Sequence, residues 1–289
     1  GIAAEAGLRP LHNRSGSNLM RGVAAMLVEE ATLAGAIPDA AQRLAILEVD
    51  EATLPEITAN VAPRVILFTN LFRDQLDRYG EVDTVAKSWE RALGREQGAE
   101  SREQRADGRQ QTASGEGVAT IVLNADDPAV AHLGRDAARQ VVYYGVDDVS
   151  AAGPGDEHAS DFRTCLDCGA ELVYTATFYG HLGHWRCASC GNARPAPDVR
   201  VTRVALGDDV TSLTILTPDG ELTITLPLAG LYNAYNALAA AAGALALGLP
   251  REAIAAALDG FAAAFGRQER FSVDGRDVQV LLGKNPTGL

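Results

Sequence analysis

Residues 64–70 read "RVILFTN" and residues 118–124 read "VATIVLN": two short apolar runs that each end in a polar residue. Runs of this length without polar alternation are typical of strands that are buried on both faces of a parallel sheet. The same pattern appears in "RLAILEVD" (43–50) and "QVVYYGV" (140–146), and helical segments lie between the runs. This β-α-β alternation predicts an α/β fold with a doubly wound, mostly parallel sheet.

The segments around these runs predict the remaining elements. After residue 198 the apolar residues alternate with polar ones, which is typical of antiparallel strands and predicts an antiparallel sub-sheet. Helices are predicted at 15–35, 51–62, 84–93, from Pro128, at 232–247 and at 251–264. Antiparallel strands are predicted within 199–228, with "PDG" (218–220) as a hairpin turn. A further hairpin is predicted at 270–283.

Polar side chains follow the predicted parallel strands at their carboxyl ends. In doubly wound sheets the ligand binds outside this edge, so these residues are candidate binding residues. They are Glu48, Asp50, Thr69, Asn70, Asn124, Asp126 and Asp127.

Composition limits the classes of function. The 289 residues carry a net charge of −13, which argues against a nucleic-acid-binding protein, because such proteins need a basic face. The longest uncharged run, 231–250, contains Gly and Pro and is too broken for a membrane span. Residues 94–117 contain no apolar residue larger than Ala and predict a flexible loop. The chain starts with Gly and stops just after a strand-like run, so we expect it to be truncated at both ends.

All four cysteines occur as two Cys-x-x-Cys pairs, Cys165/Cys168 and Cys187/Cys190, separated by eighteen residues. This spacing predicts a zinc ribbon, and a glycine after each pair suits the tight turn of each metal-binding knuckle. Paired cysteines in a chain of cytosolic character favour a metal over disulfides. Four thiolates fill the coordination shell of Zn²⁺, so the predicted site is structural rather than catalytic.

The rest of the ribbon carries few further signals. His181 and His184 lie between the cysteine pairs, and we expect them on the surface of the ribbon hairpin rather than among the ligands. Residues 160–200 contain four arginines and four acidic residues, so the segment has no basic stripe for phosphate binding.

Oxygen and amide side chains follow the strand at 64–70. Asp74, Gln75 and Asp77 come within a few residues of Thr69 and Asn70 in "TNLFRDQLDRYGEVDT" (69–84), and oxygen ligands of this kind suit Mg²⁺ bound to phosphates. The alternative is a helix N-terminus rich in capping residues. Asp126 and Asp127 in "LNADDP" (123–128) also have an alternative as a helix cap before Pro128.

Two further stretches suit a nucleotide. Asn233 and Asn236 lie three residues apart at a predicted helix start, where their amides can read a purine edge or simply cap the helix. Arg267 in "FGRQERF" (265–271) is either a phosphate clamp or a surface arginine.

Taken together, these stretches resemble the Mur ligase superfamily. The resemblance is carried by "NRSGSNLMRG", "LEVDE", "TNLFRDQLDRYGEVDT", "LNADDP", the four-cysteine ribbon, "LYNAYNALAA", "FGRQERF" and "KNPTG", in the order of the family. The ribbon is the most discriminating feature, because it identifies the branch of the family that amidates a peptidoglycan precursor.

The resemblance implies an ATP-dependent ligase that converts the D-glutamate α-carboxylate of lipid II into D-isoglutamine through an acyl phosphate. It implies ATP, Mg²⁺ and structural Zn²⁺ as cofactors, a GatD-type glutamine amidotransferase subunit as the ammonia-supplying partner, and a cytoplasmic location at the inner face of the membrane. The same resemblance implies that Glu48 is a Mg²⁺ ligand and that Thr69, Asn70 and Asp74 lie near the metal and the phosphates. It also implies that Asn236 faces adenine, with Asn233 beside it, and that Arg267 approaches the nucleotide from a hinge between domains.

The sequence departs from the family at several points. No Gly-x4-Gly-Lys phosphate loop occurs, since Ala86 precedes Lys87 and Val278 stands six residues before Lys284. Gln75 replaces a metal-binding histidine, and Lys87 has the wrong spacing for a carbamylated lysine. The catalytic aspartate of the family is expected beyond Leu289, so we expect these 289 residues alone to be inactive.

The expected organisation is a central ATP-binding domain (1–264) with a ribbon insert (160–197), followed by a hinge and the start of another domain (265–289). Two other functions stay open at this point. One is a Mur-type ligase that joins an amino acid to a carboxylate, and the other is a non-catalytic zinc-ribbon interaction module.

Overall fold

The structure is a computed structural model that describes residues 1–13, 17–72, 81–93, 120–135, 137, 139–153, 162–261 and 269–280. The predicted loop at 94–117 lies outside these ranges. The helices are α1 (Ile2–Glu5), α2 (Met20–Glu30), α3 (Leu54–Asn60), α4 (Glu81–Ala92), α5 (Pro128–His132), α6 (Leu231–Ala246) and α7 (Arg251–Asp259). The strands are β1 (Arg9–His12), β2 (Arg43–Ile46), β3 (Val65–Phe68), β4 (Thr120–Asn124), β5 (Val141–Val146), β6 (Leu172–Tyr179), β7 (Leu182–Cys187), β8 (Val199–Leu206), β9 (Thr211–Thr217), β10 (Gly220–Leu226), β11 (Glu269–Val273) and β12 (Arg276–Val280).

A six-stranded sheet with the order β10-β9-β8-β5-β4-β3 forms the centre of the fold. Strands β3, β4, β5 and β8 are parallel neighbours, whereas β8, β9 and β10 pair antiparallel. This arrangement confirms the predicted mostly parallel sheet with an antiparallel sub-sheet. The hairpin turn at Pro218 and Asp219 is also confirmed, because Thr217 pairs with Gly220 across it.

Strand β4 shows why the apolar runs lack alternation. Ile121, Val122 and Leu123 are all completely buried. Ile121 and Leu123 pack with the core formed by α3, α4 and α5, and Val122 packs with the core that includes α6 and α7. Both faces of the sheet are therefore covered, which is the condition that selects a continuous apolar strand.

Helix α6 lies across the sheet and is rich in alanine, which allows a close approach. A Cβ on Gly243 would lie 3.1 Å from Cδ1 of Leu67 on β3. Leu238 of α6 and Ile254 of α7 are completely buried in the same core. Within the described parts of the chain, no helix is both long and apolar enough to cross a bilayer.

The amino-terminal region differs from the prediction. Strand β2 pairs in parallel with β1 in a separate two-stranded sheet, so Glu48 and Asp50 do not follow a strand of the six-stranded sheet. Helix α2 is shorter than the predicted 15–35, because Ala31 is extended and the Thr32 hydroxyl accepts the Ala36 N–H in a turn.

The carboxy-terminal elements follow the prediction in part. Helix α7 ends at Asp259, five residues before the predicted 264, and residues 262–268 lie outside the described ranges. Strands β11 and β12 form the predicted antiparallel hairpin, with Asp274 and Gly275 both at positive φ in its turn.

The connection from β5 to β8 has an unusual secondary structure. Parallel neighbours need a crossover, which is usually a helix. The described residues of this connection contain no α-helix but do contain the antiparallel β6–β7 hairpin, which carries the cysteine segment. The ribbon therefore takes the place of a crossover helix.

We predict that Leu238→Ala lowers the free energy of unfolding by about 2–5 kcal/mol, because it leaves a cavity at a fully buried site. Leu206→Ala is the control, since Leu206 is 51% exposed at the end of β8 and its truncation should cost less than about 0.5 kcal/mol. Denaturant unfolding measures both values, and equal losses for the two variants would contradict this packing of α6.

Candidate functional site

The four cysteine sulfur atoms converge at one end of the β6–β7 hairpin. The Sγ atoms of Cys165 and Cys190 are 3.6 Å apart, those of Cys168 and Cys187 are 3.5 Å apart, and all four lie within 4.8 Å of one another. Four thiolates at the Zn–S distance of a tetrahedral site are about 3.8 Å apart, so this set fits a zinc ion. None of the four forms a disulfide.

The two knuckles have the same backbone geometry. The N–H of Gly169 donates to the carbonyl of Cys165 at 2.8 Å, and the N–H of Gly191 donates to the carbonyl of Cys187 at 3.1 Å. Both glycines have positive φ, 72° and 78°, which a residue with a Cβ adopts only with strain. The predicted role of these glycines is confirmed.

The environment of the thiols shifts their pKa values in different directions. Burial raises the pKa of Cys165, but the backbone N–H of Cys168 and neighbouring thiols lower it more, so the net pKa is lowered. For Cys190 the backbone N–H of Asn192 lowers the pKa, but contacts with neighbouring thiols raise it to about 11. Hydrogen bonds among the four thiols therefore favour the thiolate at Cys165 and disfavour it at Cys190.

Asp127, after β4, joins three parts of the fold and is completely buried. Its Oδ1 accepts the N–H groups of Ala129 and Val130 at 2.9 and 3.1 Å, which confirms the predicted cap of α5. Its Oδ2 accepts the N–H of Leu71 at 2.8 Å and lies 3.1 Å from Nε2 of His181. The cap thus also binds the ribbon and the segment after β3.

Asp126, the preceding residue, is equally buried and has a different set of partners. Its Oδ1 pairs with Nε of Arg194 on the ribbon, and its Oδ2 accepts the Tyr235 hydroxyl at 2.7 Å and the N–H of Val146 at 2.8 Å. Burial raises the pKa of Asp126, and the charge of Arg194 is the largest influence that lowers it; the net shift is upward.

The expectation that His181 and His184 lie on the surface is wrong. His181 is 1% exposed and packs against the rings of Phe72 and Phe162, with centroids 4.6 and 5.1 Å away. Nε2 of His184 lies 2.7 Å from the carbonyl oxygen of Val146. His181 is enclosed and His184 is half-buried, because the hairpin folds back onto the carboxyl edge of the sheet instead of projecting into solvent.

Thr69 and Asn70 lie at the carboxyl end of β3, as predicted. The carbonyl of Thr69 accepts the side-chain amide of Asn124 at 2.9 Å and the hydroxyl of Tyr144 at 3.2 Å. The Thr69 side chain is exposed and that of Asn70 is half-buried. Backbone contacts thus hold this segment in place while its side chains face outward.

The start of α6 lies at the same edge of the sheet. Tyr235 bonds to Asp126, which directly follows β4, and Asn233 and Asn236 flank Tyr235 in the first turns of the helix. Asn233 is buried and its amide donates to the carbonyl of Ala229 at 2.8 Å. The N-cap of α6 is Gly230 and no side chain caps it, so the structure does not bear out the capping interpretation of Asn233. The Asn236 side chain is exposed.

Glu48 is exposed, and its backbone is held by the side chain of Asn13 through bonds of 2.9 and 3.2 Å. Within the described parts of the chain, the four cysteines form the only cluster of three or more metal-ligating side chains, so Glu48 is not brought together with other acids there. Lys87 is exposed on α4. Asp74, Gln75, Asp77 and Arg267 lie outside the described residues.

The partners of the two aspartates could not be identified from the sequence patterns. Consecutive acids after a buried strand need cations or N–H donors if they are buried. His181 and Arg194 of the ribbon meet this need. The requirement of buried acids for such partners is the one feature of the sequence from which these two residues could have been predicted.

Known proteins resemble the chain over its whole length, although no protein-family model matches it. It is 31% identical over 289 residues to the lipid II isoglutaminyl synthase (glutamine-hydrolyzing) subunit MurT of Streptococcus pneumoniae, an alignment that covers all of this chain and 58% of that protein. A solved pseudomurein peptide ligase type C from Methanothermus fervidus superposes with a TM-score of 0.70 and 25% identity over 99% of this chain and 50% of that one. MurF from Acinetobacter baumannii superposes with a TM-score of 0.58 and 20% identity over 94% of this chain and 44% of that one. Over its whole length the chain thus resembles MurT, and its fold is that of the Mur ligases.

The resemblance identified in the sequence is thereby confirmed. The chain spans between 56% and 58% of the length of the MurT relatives that it matches. The matched region includes the parallel sheet, the cysteine ribbon and α6, which together build the candidate site.

We predict about one zinc ion per chain in a metal assay of the purified protein. Cys187→Ser should release it, because three thiolates no longer close a tetrahedral shell, and should loosen residues 162–197 in hydrogen exchange while the strands β3 to β5 keep most of their protection. Ser189→Ala changes an exposed residue of the same knuckle and should keep the metal. Full zinc content in Cys187→Ser would contradict the assignment.

We also predict that Arg194→Met lowers the free energy of unfolding by roughly 3–5 kcal/mol near neutral pH, because Asp126 is left buried without its cation. Without Arg194 the pKa of Asp126 rises further above its unfolded value, so the carboxyl favours the folded state at low pH and that contribution is lost as the pH rises through the folded pKa. The loss relative to wild type should therefore be larger at pH 8 than at pH 5.

The control is Arg200→Met, since Arg200 is 39% exposed with Nε 3.6 Å from Asp147 and should contribute less than about 1 kcal/mol. Denaturant unfolding at both pH values measures the effect. If Arg194→Met lowers the free energy of unfolding by the same amount at pH 5 and pH 8, the ionisation of Asp126 does not depend on its pair with Arg194.

Proposed function

We propose that the chain forms the nucleotide-binding part of an ATP-dependent ligase of peptidoglycan synthesis, which amidates the D-glutamate α-carboxylate of lipid II to D-isoglutamine. The observation that carries this proposal is the similarity to MurT across the whole chain, ribbon included. In the proposed reaction the carboxylate attacks the γ-phosphate of ATP and ADP leaves. Ammonia then attacks the acyl phosphate, and inorganic phosphate and a proton leave as the amide forms.

The nucleotide is proposed to lie at the carboxyl edge of the sheet. Thr69 and Asn70 at the end of β3 and Asn236 on α6 are the proposed contacts to phosphates and adenine, and the bond between Tyr235 and Asp126 supports their common location. Glu48 is proposed as a Mg²⁺ ligand, with Asp74 near the metal. Asn233 beside Asn236, and Arg267 from the hinge, complete the proposed set.

The proposed zinc ion is structural. Cys165, Cys168, Cys187 and Cys190 supply all four ligands, which leaves no position for a water molecule or a substrate. The ion would stabilise the ribbon, and no step of the proposed reaction involves it.

The proposed partner is a glutamine amidotransferase subunit of the GatD type that supplies ammonia. The name of the MurT relatives supports it, since those proteins are subunits of a glutamine-hydrolyzing synthase. With lipid II as substrate, the enzyme would work in the cytoplasm at the inner face of the membrane.

The test uses the protein expressed with the residues that flank these 289 in its gene, incubated with ATP, Mg²⁺, lipid II and either ammonium or a glutaminase subunit. Mass spectrometry should show one hydroxyl of the substrate replaced by an amino group. Glu48→Gln should lower kcat/KM at least roughly tenfold through a weakened metal site, whereas Glu29→Gln, at an exposed position on α2, should leave it unchanged.

Two results would overturn the proposal. An added amino acid in place of the amide would identify a different Mur-type ligase, and the absence of ATP consumption would favour a non-catalytic module. The 289-residue chain alone should turn over no ATP, because it contains no Gly-x4-Gly-Lys loop.

A further inference from the structure

Two consecutive buried acids connect the ribbon to both parts of the proposed nucleotide site. Asp126 and Asp127 are completely buried, and each has one partner on the ribbon and one at the candidate site. A buried carboxylate that lost one of its partners would carry a large desolvation cost, so the positions of its partners depend on one another.

The first connection runs through Asp127. Its Oδ2 lies between Nε2 of His181, at the hairpin tip, and the backbone N–H of Leu71. Leu71 directly follows Thr69 and Asn70, the proposed phosphate contacts. His181 is held in place by Phe72 and Phe162, so the tip of the hairpin fixes where the chain leaves β3.

The second connection runs through Asp126. Its carboxylate lies between the guanidinium of Arg194 on the ribbon and the hydroxyl of Tyr235 on α6. Asn233 and Asn236, the proposed adenine contacts, flank Tyr235 in the sequence. The ribbon therefore also contacts the start of α6 through a single carboxylate.

The cysteine end of the ribbon sets the position of Arg194. This residue follows the second knuckle, and its N–H donates to the carbonyl of Trp185 at 3.0 Å. The indole N–H of Trp185 in turn donates to the carbonyl of Ala125 at 3.0 Å, directly before Asp126. Cys165 and Cys187 pack beside Trp185 and against Ala131 of α5. The knuckles thus hold the segment that presents Arg194 to Asp126.

We propose that the ribbon is a positioning element for the nucleotide site, in which His181 and Arg194 act through Asp127 and Asp126 to fix the Thr69–Asn70 segment and the start of α6. This inference rests on the proposed function for the identity of the nucleotide, but the physical connection does not. His181 and Arg194 are positioning residues and touch no reacting atom.

The experiment compares His181→Leu, which removes the hydrogen bond to Asp127, with His181→Gln, whose amide can still donate to it. Arg163→Ala is the control on the ribbon, because Arg163 is exposed and pairs only loosely with Glu171 at 3.4 Å. In the flank-extended enzyme, His181→Leu should raise KM for ATP·Mg²⁺ by roughly three- to tenfold with a smaller change in kcat, in line with the loss of one hydrogen bond to a charged group. His181→Gln should recover most of the loss.

The second readout is amide hydrogen exchange of the 289-residue chain, which needs no activity. His181→Leu should speed exchange at Leu71 by about tenfold relative to wild type, the equivalent of roughly 1.4 kcal/mol of local stability. Zinc removal by a chelator should speed exchange both there and at 230–236, while the β9–β10 hairpin keeps its protection.

Unchanged KM and unchanged Leu71 exchange in a folded, zinc-loaded His181→Leu protein would overturn the inference, and so would a His181→Gln variant as impaired as His181→Leu. If the wild-type enzyme consumes no ATP, the proposed function fails, but the exchange measurement still decides whether the ribbon positions this edge of the sheet.

Discussion

The fold depends on the burial of two adjacent carboxylates, Asp126 and Asp127, at the end of β4. Both have no exposure to solvent, and an ionised carboxylate in such a place is tolerated only when cations and N–H groups surround it. Those groups come from distant parts of the chain: Leu71 after β3, Tyr235 on α6, and His181 and Arg194 on the ribbon. Satisfying the two acids therefore brings the end of β3, the start of α6 and the ribbon to one edge of the sheet.

This requirement gives the cysteine ribbon a physical role at the carboxyl edge. The connection from β5 to β8 must cross over because the strands are parallel neighbours, and a helix would cover the sheet by apolar packing alone. The ribbon does pack apolar residues, since Phe178 and Leu182 join the core on the α6 face and Phe162 joins the core on the opposite face. It also brings one polar side chain to each aspartate, His181 to Asp127 and Arg194 to Asp126, which a purely apolar crossover helix would not do.

The sequence allowed the sheet and the metal site to be predicted because their signals are local. The apolar run of β4 and the spacing of Cys165, Cys168, Cys187 and Cys190 each lie within a few residues of chain. The partners of Asp126 and Asp127 lie up to 109 residues away from them in the sequence, and no periodicity in the sequence indicates such pairs. Strand β2 was misplaced for a related reason: an apolar run shows that a strand is present, but not which strand is its neighbour.

The same contacts argue against a nucleic-acid role for the ribbon more strongly than its net charge does. Phosphate binding needs arginines whose guanidinium groups face solvent. The Arg194 side chain is only 12% exposed and is paired with Asp126 and Asp147, and Arg163 and Arg200 each face an acid of the same chain. The best-buried of these arginines, Arg194, is thus directed toward carboxylates of the chain, whereas Arg163 and Arg200 are 58% and 39% exposed and pair more loosely. A segment whose arginine binds an internal acid stabilises the domain. In this chain it stabilises the edge of the sheet where strands β3 and β4 end.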